Sequence, residues 1–507
     1  MKPNLHRSGS IGTRRLTLLV SAIVVFAPAV AGFSQAPPPP DFQGQVRRLN
    51  EAVDRVQSQI EQSQRELTEL RRQLSELQGA AQTPPSSDPP QSAGADAVEL
   101  AAAVAGMRDT QSMHETQIAT LEQTKVESES KYPVTLSGMI LMTGFVNTQG
   151  VDVPEFPTVA LGGPGTTGAT IRQTILGIDA RGPHLFGASS HADVRMDFAA
   201  GSASAEYSGG AALGQIRMRT AHGELNWEHT KAFFSLDRAL LNPDTPTSLT
   251  AVATPALGWS GNLAIWTPQA GMSSDLFADH AARVRVQAAL INVGDPPSPH
   301  AAQPAVANAA TTTAELSRWP GVEARVALVH PEDDLETHLG ISGYFAPHRI
   351  PPSTTFDSWA GALDFGFPVS RYTSIAGNVY HGQALGGLGG GAFKDYVVKI
   401  AYNEPYIRAL DDTGGWLQWK QRAGERFEFN EAFGIDDVPA YQVRTYNAPS
   451  YPSYYNLARN RTLTANVIYS PSTYLLFSLE YRRIASSFFN SPTEFSDIIG
   501  LAAGYRF

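Results

Sequence analysis

Hydrophobic positions change period partway along this chain. Val46, Leu49, Val53, Val56, Ile60, Leu67, Leu70, Leu74 and Leu77 recur at alternating steps of three and four, interrupted only at Ser63. Charged Arg48, Glu51, Glu66 and Glu69 flank that seam. A narrow apolar seam with a 3.5-residue period predicts an α-helical coiled coil over residues 41–78. Prolines among polar residues in Gln82–Gly94 then break the helix, so residues 79–97 read as an extended linker. Leu100, Val104, Met107, Gln111, His114, Ile118 and Leu121 resume the rhythm, which predicts a second helical heptad tract over 98–130.

From residue 132 onward the period falls to two. In Ser190–Ala199, His191, Asp193, Arg195 and Asp197 alternate with Ala192, Val194, Met196 and Phe198. Arg283, Arg285 and Gln287 alternate with Val284, Val286 and Ala288, and Glu323 and Arg325 with Val322, Ala324 and Val326. Near the C-terminus, Leu475, Phe477, Leu479 and Tyr481 alternate with Tyr474, Ser478, Glu480 and Arg482. Successive strand side chains point to opposite faces, so each such strand has one charged face and one apolar face.

The connections suggest how those faces are used. Arg181–Pro183, Glu228–Lys231, Ala423–Glu425 and Pro471–Ser472 are tight; Gln149–Gly168, Leu240–Ser260, Val293–Pro320, Gln383–Thr413 and Asp436–Asn456 are long and rich in small residues and proline. Mostly alternating short turns and long loops are the pattern of an outer-membrane β-barrel, and about sixteen antiparallel strands fit residues 132–507. A barrel of that size leaves room for an aqueous channel. Ile499, Leu501, Ala503, Tyr505 and Phe507 share one parity at the chain's end. Since no open sheet edge survives in lipid, the last strand is expected to close on the first.

The N-terminus agrees with export. Lys2, Arg7, Arg14 and Arg15 precede the apolar run Leu16–Gly32, which contains Ala29-Val30-Ala31, so residues 1–31 read as a signal peptide. Both ends of an even-stranded barrel lie on one side, which puts the coiled coil in the periplasm. Composition narrows the chemistry further. Seventeen per cent charged residues is low. The absence of cysteine argues against thiolate metal sites and disulfides, and a net charge of −10 against nucleic acid as a partner.

An Arg on the lipid face at mid-depth costs about 2–4 kcal/mol, so parity turns the arginines inward. Arg195, Arg217, Arg219, Arg283, Arg285, Arg325 and Arg482 are the expected pore lining, together with Asp193, Asp197 and Glu323. Trp227 shares the parity of Arg217 and Arg219, which predicts a bulge near Gly223. Arginine rings favour anions. The segment Leu240–Ser260 is the candidate to fold into the channel, with Asp244 at the constriction.

Four phrases carry a family resemblance: IRMRTAHGELNW (Ile216–Trp227), LLNPDTPTS (Leu240–Ser248), GNLAIWTPQ (Gly261–Gln269) and NVIYSPSTYLLFSLEYRR (Asn466–Arg483). With the signal peptide and coiled coil, they make the chain similar to the DcaP-like trimeric porins of the Gram-negative outer membrane. The terminal Phe507 with its alternation resembles the C-terminal signal read by the barrel-assembly machinery, and outer-membrane lipid and lipopolysaccharide are the expected surroundings. The family resemblance implies a homotrimer. It also implies passive passage of small hydrophilic, often anionic solutes. After Phe234 the sequence Ser235–Arg238 replaces the family's Gly-Gln pair.

Other motifs carry less. Gly163–Gly168 matches GxGxxG, but an alternating strand follows rather than a helix, so these are loop glycines. Gly386–Gly391 reads as a flexible outer loop. The segment from His330 to His338, with acidic residues between, reads as a solvated periplasmic turn. No nucleophile–base set stands out, so an enzyme is not expected, nor a cofactor or a metal. The competing reading is a structural barrel whose periplasmic coil tethers the envelope.

Overall fold

The computed structural model describes residues 133–507 except 201–213, 297–310, 332–335, 352, 402–403 and 446–449. The expected signal peptide, both heptad tracts and the linker lie outside the described residues. The early strands are β1 (Val134–Val151), β2 (Ala160–Thr170), β3 (Ile175–Leu185), β4 (Ala188–Ala200), β5 (Gln215–Asn226), β6 (Thr230–Arg238), β7 (Trp266–Leu276) and β8 (Arg283–Ile291). They are followed by β9 (Gly321–Pro331), β10 (Glu336–Ile350), β11 (Thr354–Ser370) and β12 (Thr373–Gln383). A small hairpin, β13 (Tyr396–Ala401) with β14 (Glu404–Ala409), stands apart from the main sheet. The chain ends with β15 (Asp411–Ala423), β16 (Phe427–Asp437), β17 (Leu457–Tyr469), β18 (Leu475–Phe488) and β19 (Glu494–Arg506).

Seventeen strands form one antiparallel sheet. β2 pairs with the far half of β1 (Thr143↔Thr170 to Val151↔Ala160), and β3 with its near half (Val134↔Ala180 to Met139↔Ile175). The two are halves of one stave interrupted at residues 171–174, so seventeen strands make sixteen staves. β19 pairs with β1 from Met139↔Arg506 to Asn147↔Ile498, which closes the cylinder. Phe507 extends the seam: its N–H donates to the Gly138 carbonyl, and its carbonyl accepts from the Gly138 N–H, both at 3.1 Å. Among the described strands of this sheet no edge is left, as a wall in lipid requires.

Burial on this wall runs opposite to that of a soluble sheet. Leu475, Phe477, Leu479 and Tyr481 are exposed, while Ser478, Glu480 and Arg482 between them are buried. Ile499, Leu501 and Tyr505 point out; Ser496, Ile498 and Ala502 point in. The same holds for Leu339, Ile341, Leu363, Val379, Leu417, Trp419, Phe429, Phe433 and Leu463 outside, against Ser342, Asp364, Asn378, Gln418, Asn430 and Asn466 inside. A polar interior behind an apolar exterior is what alternation produces when the wet side is the lumen.

Four sequence expectations need correction. Gly163–Gly168 belongs to β2 rather than to a loop, and the first long connection shrinks to residues 152–159. Asp152 closes that turn by accepting from the backbone N–H groups of Thr158 (2.8 Å) and Val159 (3.0 Å). The first tight turn is Phe186-Gly187, both at positive φ, rather than Arg181–Pro183, which lies within β3 at a register shift. The bulge in β5 falls at Arg219 rather than near Gly223, since Arg195 pairs with Thr220 and Met196 with Met218. Finally, Gly386–Gly391 is buried in short 3-10 turns rather than forming an outer loop. Its glycines permit close packing: a Cβ on Gly387 would sit 2.3 Å from the Gly294 carbonyl oxygen.

Two of the long connections turn inward and give the barrel an interior of its own. Residues 239–265 follow β6, and residues 384–410 follow β12. Leu241 and Leu263 of the first pack with Leu385 and Leu388 of the second, against Tyr344, Ala360, Ala362 and Tyr380 of the wall. Trp259 stacks on Phe393 at 4.0 Å between ring centroids. Glycines in the wall make room: a Cβ on Gly434 would lie 2.1 Å from the Ser260 carbonyl oxygen.

Candidate functional site inside the barrel

The connection 239–265 crosses the lumen and is held by wall side chains around much of the circumference. From β5, Arg219 donates to the Val252 carbonyl (2.7 Å) and Arg217 to the Ala253 carbonyl (2.6 Å). Gln173, at the break between β2 and β3, accepts from the N–H groups of Val252 and Ala253 and donates to the Thr250 carbonyl. On the far side the Ser248 hydroxyl donates to Glu480 at 2.5 Å, Asn466 donates to the Thr247 carbonyl, and Asn460 to the Trp259 carbonyl. Asn378 and Trp416 hold Leu241 and Asn242. Except for the Ser248–Glu480 and Trp416–Asn242 bonds, which join side chains, these contacts satisfy backbone groups that would otherwise be buried without partners.

Asp244 sits in this inward connection. Its carboxylate lies 2.9 Å from His338 Nε2 on β10, and the same imidazole nitrogen lies 3.6 Å from Asp364 of β11. Asp364 also takes a two-pronged contact from Arg325 of β9, at 3.0 and 2.5 Å. Arg325 donates its remaining arm to Gln287 at 2.8 Å. Glu323, next inward on β9, accepts from the Leu240 N–H at 2.7 Å, where the connection begins.

All seven arginines named from parity lie near a carboxylate. Arg195 meets Asp179 (2.7 Å) and, more loosely, Asp193 (3.8 Å). Arg217 and Arg219 share Asp197, at 2.6 and 3.1 Å. Arg285 and Arg283 share Asp275, at 2.7 and 4.0 Å. Arg325 holds Asp364, and Arg482 holds Glu480 at 2.5 Å. His222 bridges Asp193 and Asp237, 3.1 Å from each.

These pairs divide by exposure. Arg325 and Arg482 are buried with their partners, 6% and 7% exposed. Those on β4, β5 and β8 are more open: Arg195 33%, Arg217 31%, Arg283 36% and Arg285 26%. Their carboxylates are less so, with Asp197 at 0% and Asp275 at 16%. Arg217 and Arg219 also lie over the Trp266 ring, 5.2 and 4.9 Å from its centroid, which orients both guanidinium planes.

Sequence reading missed the partners Asp179, Asp275 and Asp364, although their parity marks them as inward too. It also missed Lys394 and Asp395 in the second inward connection. Lys394 Nζ donates to the carbonyls of Ala392, Tyr454 and Leu457 at 2.7, 2.7 and 3.0 Å, and burial pushes its pKa down to about 7. Burial, with the Asp295 carboxylate nearby, pushes Asp395 up to about 8. A cavity of about 730 Å³ opens at the short-turn end, where Arg371, Arg422, Arg426 and Arg506 line it with Glu428 and Leu249.

Solved structures share this architecture. The outer-membrane channel DcaP of Acinetobacter baumannii matches with a TM-score of 0.57 at 15% identity, over 75% of this chain and 99% of that one. The chain has that channel's fold. An anion-selective porin from Comamonas acidovorans matches at TM-score 0.45 and 8% identity, over 74% of this chain and 100% of that one. OprB of Pseudomonas putida, in a high-pH structure, matches at 0.44 and 9%, over 74% of this chain and 94% of that one. No family model and no curated protein matches the sequence.

Proposed function

We propose that the chain is an outer-membrane porin for passive diffusion of small hydrophilic solutes, with a modest preference for anions. The observation that carries this reading is a closed wall, apolar outside and charged inside, with an inward connection tied across its interior. The apolar contact between the two inward connections fills the β10–β12 side. The passage then runs along β4–β8, where Arg195, Arg217, Arg283 and Arg285 are partly exposed. Asp197 and Asp275 are less exposed than the Arg217 and Arg285 they hold, so a passing ion meets those guanidinium groups first, and such groups favour anions. Asp244 and the residues around it form the constriction. The periplasmic coil and a homotrimeric assembly complete the proposal.

Reversal potentials across a planar bilayer in a tenfold KCl gradient test it. The wild type is expected to favour chloride, and Arg217→Gln combined with Arg285→Gln to move the potential toward zero. A cation preference in the wild type overturns the anion reading. The packing of both inward connections also favours a second reading, a closed barrel whose coil tethers the envelope. Correctly folded protein that admits no ions would favour it.

A further inference from the structure

Three segments that are remote in sequence bring ligating groups together away from the arginine wall. Asp295 lies just after β8, in the connection leading to β9. His348 is near the long-loop end of β10, and Asp395 precedes the β13–β14 hairpin. One carboxylate oxygen from each aspartate and a ring nitrogen of His348 all lie within 4.8 Å of one another. His348 and Asp395 are each only 1% exposed. Among the described residues, buried His348 Nε2 and Asp395 Oδ2 have no hydrogen-bond partner. Native interiors leave few such atoms, and each calls for an explanation.

The surrounding contacts set the chemistry of the histidine. The Thr313 hydroxyl has one proton and donates it to Asp295 Oδ1 at 2.6 Å. The same hydroxyl is 2.8 Å from His348 Nδ1, so it must accept there, and Nδ1 carries the ring proton. Nε2 is then an unprotonated lone pair. The His348 ring is stacked on Phe356 at 4.8 Å between centroids, which fixes its plane. Fixing one imidazole nitrogen by hydrogen bond so that the other is available is how proteins prepare a metal-ligating histidine. Asp395 Oδ1 is engaged by the Gly387 N–H at 3.2 Å, which leaves Oδ2 as its open atom.

We propose that Asp295, His348 and Asp395 bind one divalent transition-metal ion, of the Zn²⁺ or Mn²⁺ kind. Two carboxylates this close repel each other when both are charged, and burial adds to that cost. A cation removes both penalties. An imidazole with two carboxylates suits zinc or manganese better than calcium or magnesium, whose shells are all oxygen. Donors about 2.0–2.2 Å from zinc stand roughly 3.5 Å apart, against an observed spread of no more than 4.8 Å. Water fills the remaining coordination. The ion would bind the connection after β8 and the inward connection 384–410 to the barrel wall, as a clasp between elements that no backbone ladder joins. Thr313 is a positioning residue, acting through His348 and Asp295.

The test uses the full-length protein in detergent, stripped with a chelator and equilibrated with Zn²⁺ or Mn²⁺. Elemental analysis is expected to find one tightly held ion per chain. Asp395→Asn and His348→Gln are each expected to weaken binding at least tenfold, and Thr313→Val about tenfold. His191→Gln, in the second acid–histidine group on β3 and β4 (Asp179, His191, Asp193), is expected to leave it unchanged. Absence of stoichiometric uptake, or uptake unaltered by Asp395→Asn, overturns the proposal. Heat-modifiable migration on gels shows that each variant is folded. Zinc-edge X-ray absorption on the wild type decides without any variant: one imidazole among oxygen ligands supports the site, whereas no imidazole, or two or more, refutes it. None of these readouts depends on whether the barrel conducts.

Discussion

Placing a single charge on the outer parity of the closing strand probes what surrounds the barrel. Leu501 on β19 is 58% exposed and lies between Gly144 of β1 and Leu479 of β18. It sits five residues before Arg506, the last residue of the strand. At about 3.4 Å per residue and a strand tilt of about 40°, that is roughly 13 Å along the barrel axis, midway through an apolar band about 25 Å tall. Leu501→Arg therefore puts a guanidinium at the depth where it costs about 2–4 kcal/mol, a shift of roughly 30- to 700-fold in the folding equilibrium. Tyr505→Arg, one residue from the strand end, should cost only about 0–1 kcal/mol. Reversible denaturant unfolding in phospholipid vesicles reads both variants against the wild type. If Leu501→Arg falls within about 0.5 kcal/mol of wild type, or costs no more than Tyr505→Arg, the outer face is not in hydrocarbon and the reasoning fails.

Other expectations concern the interior. Asp364→Ala strips the two-pronged partner from buried Arg325 and should cost about 3–5 kcal/mol in the same unfolding assay, while Arg325→Met with Asp364→Leu should cost much less. Gly434→Val places its Cβ against the Ser260 carbonyl, so the tip of the connection 239–265 must shift and the single-channel conductance should change; an unchanged value would mean the tip does not bear on the passage. Lys394→Met leaves the Ala392, Tyr454 and Leu457 carbonyls without their donor, and limited proteolysis should cut within 384–410 faster than in the wild type.

The barrel was legible because lipid on one side and water on the other impose a two-residue period, which holds without a break from Phe477 to Arg482. Strands poor in that contrast were not legible. Ala160–Thr170 is mostly glycine, threonine and proline, and only its pairing with β1 makes it a strand. The same confusion of glycine with looseness hid the inward course of 384–410, where small residues serve tight packing. Parity found the inward arginines but not how each is neutralised, since Asp275 and Asp364 are set by cross-strand register rather than by local spacing. Asp295, His348 and Asp395 share no motif, because three separate segments meet only in the folded chain.

Single-channel recording of the purified protein in a planar lipid bilayer tests the central claim most directly. The account predicts discrete, reproducible conductance steps on insertion, with a reversal potential of the anion-favouring sign. Folded, membrane-inserted protein that gives no steps would contradict it.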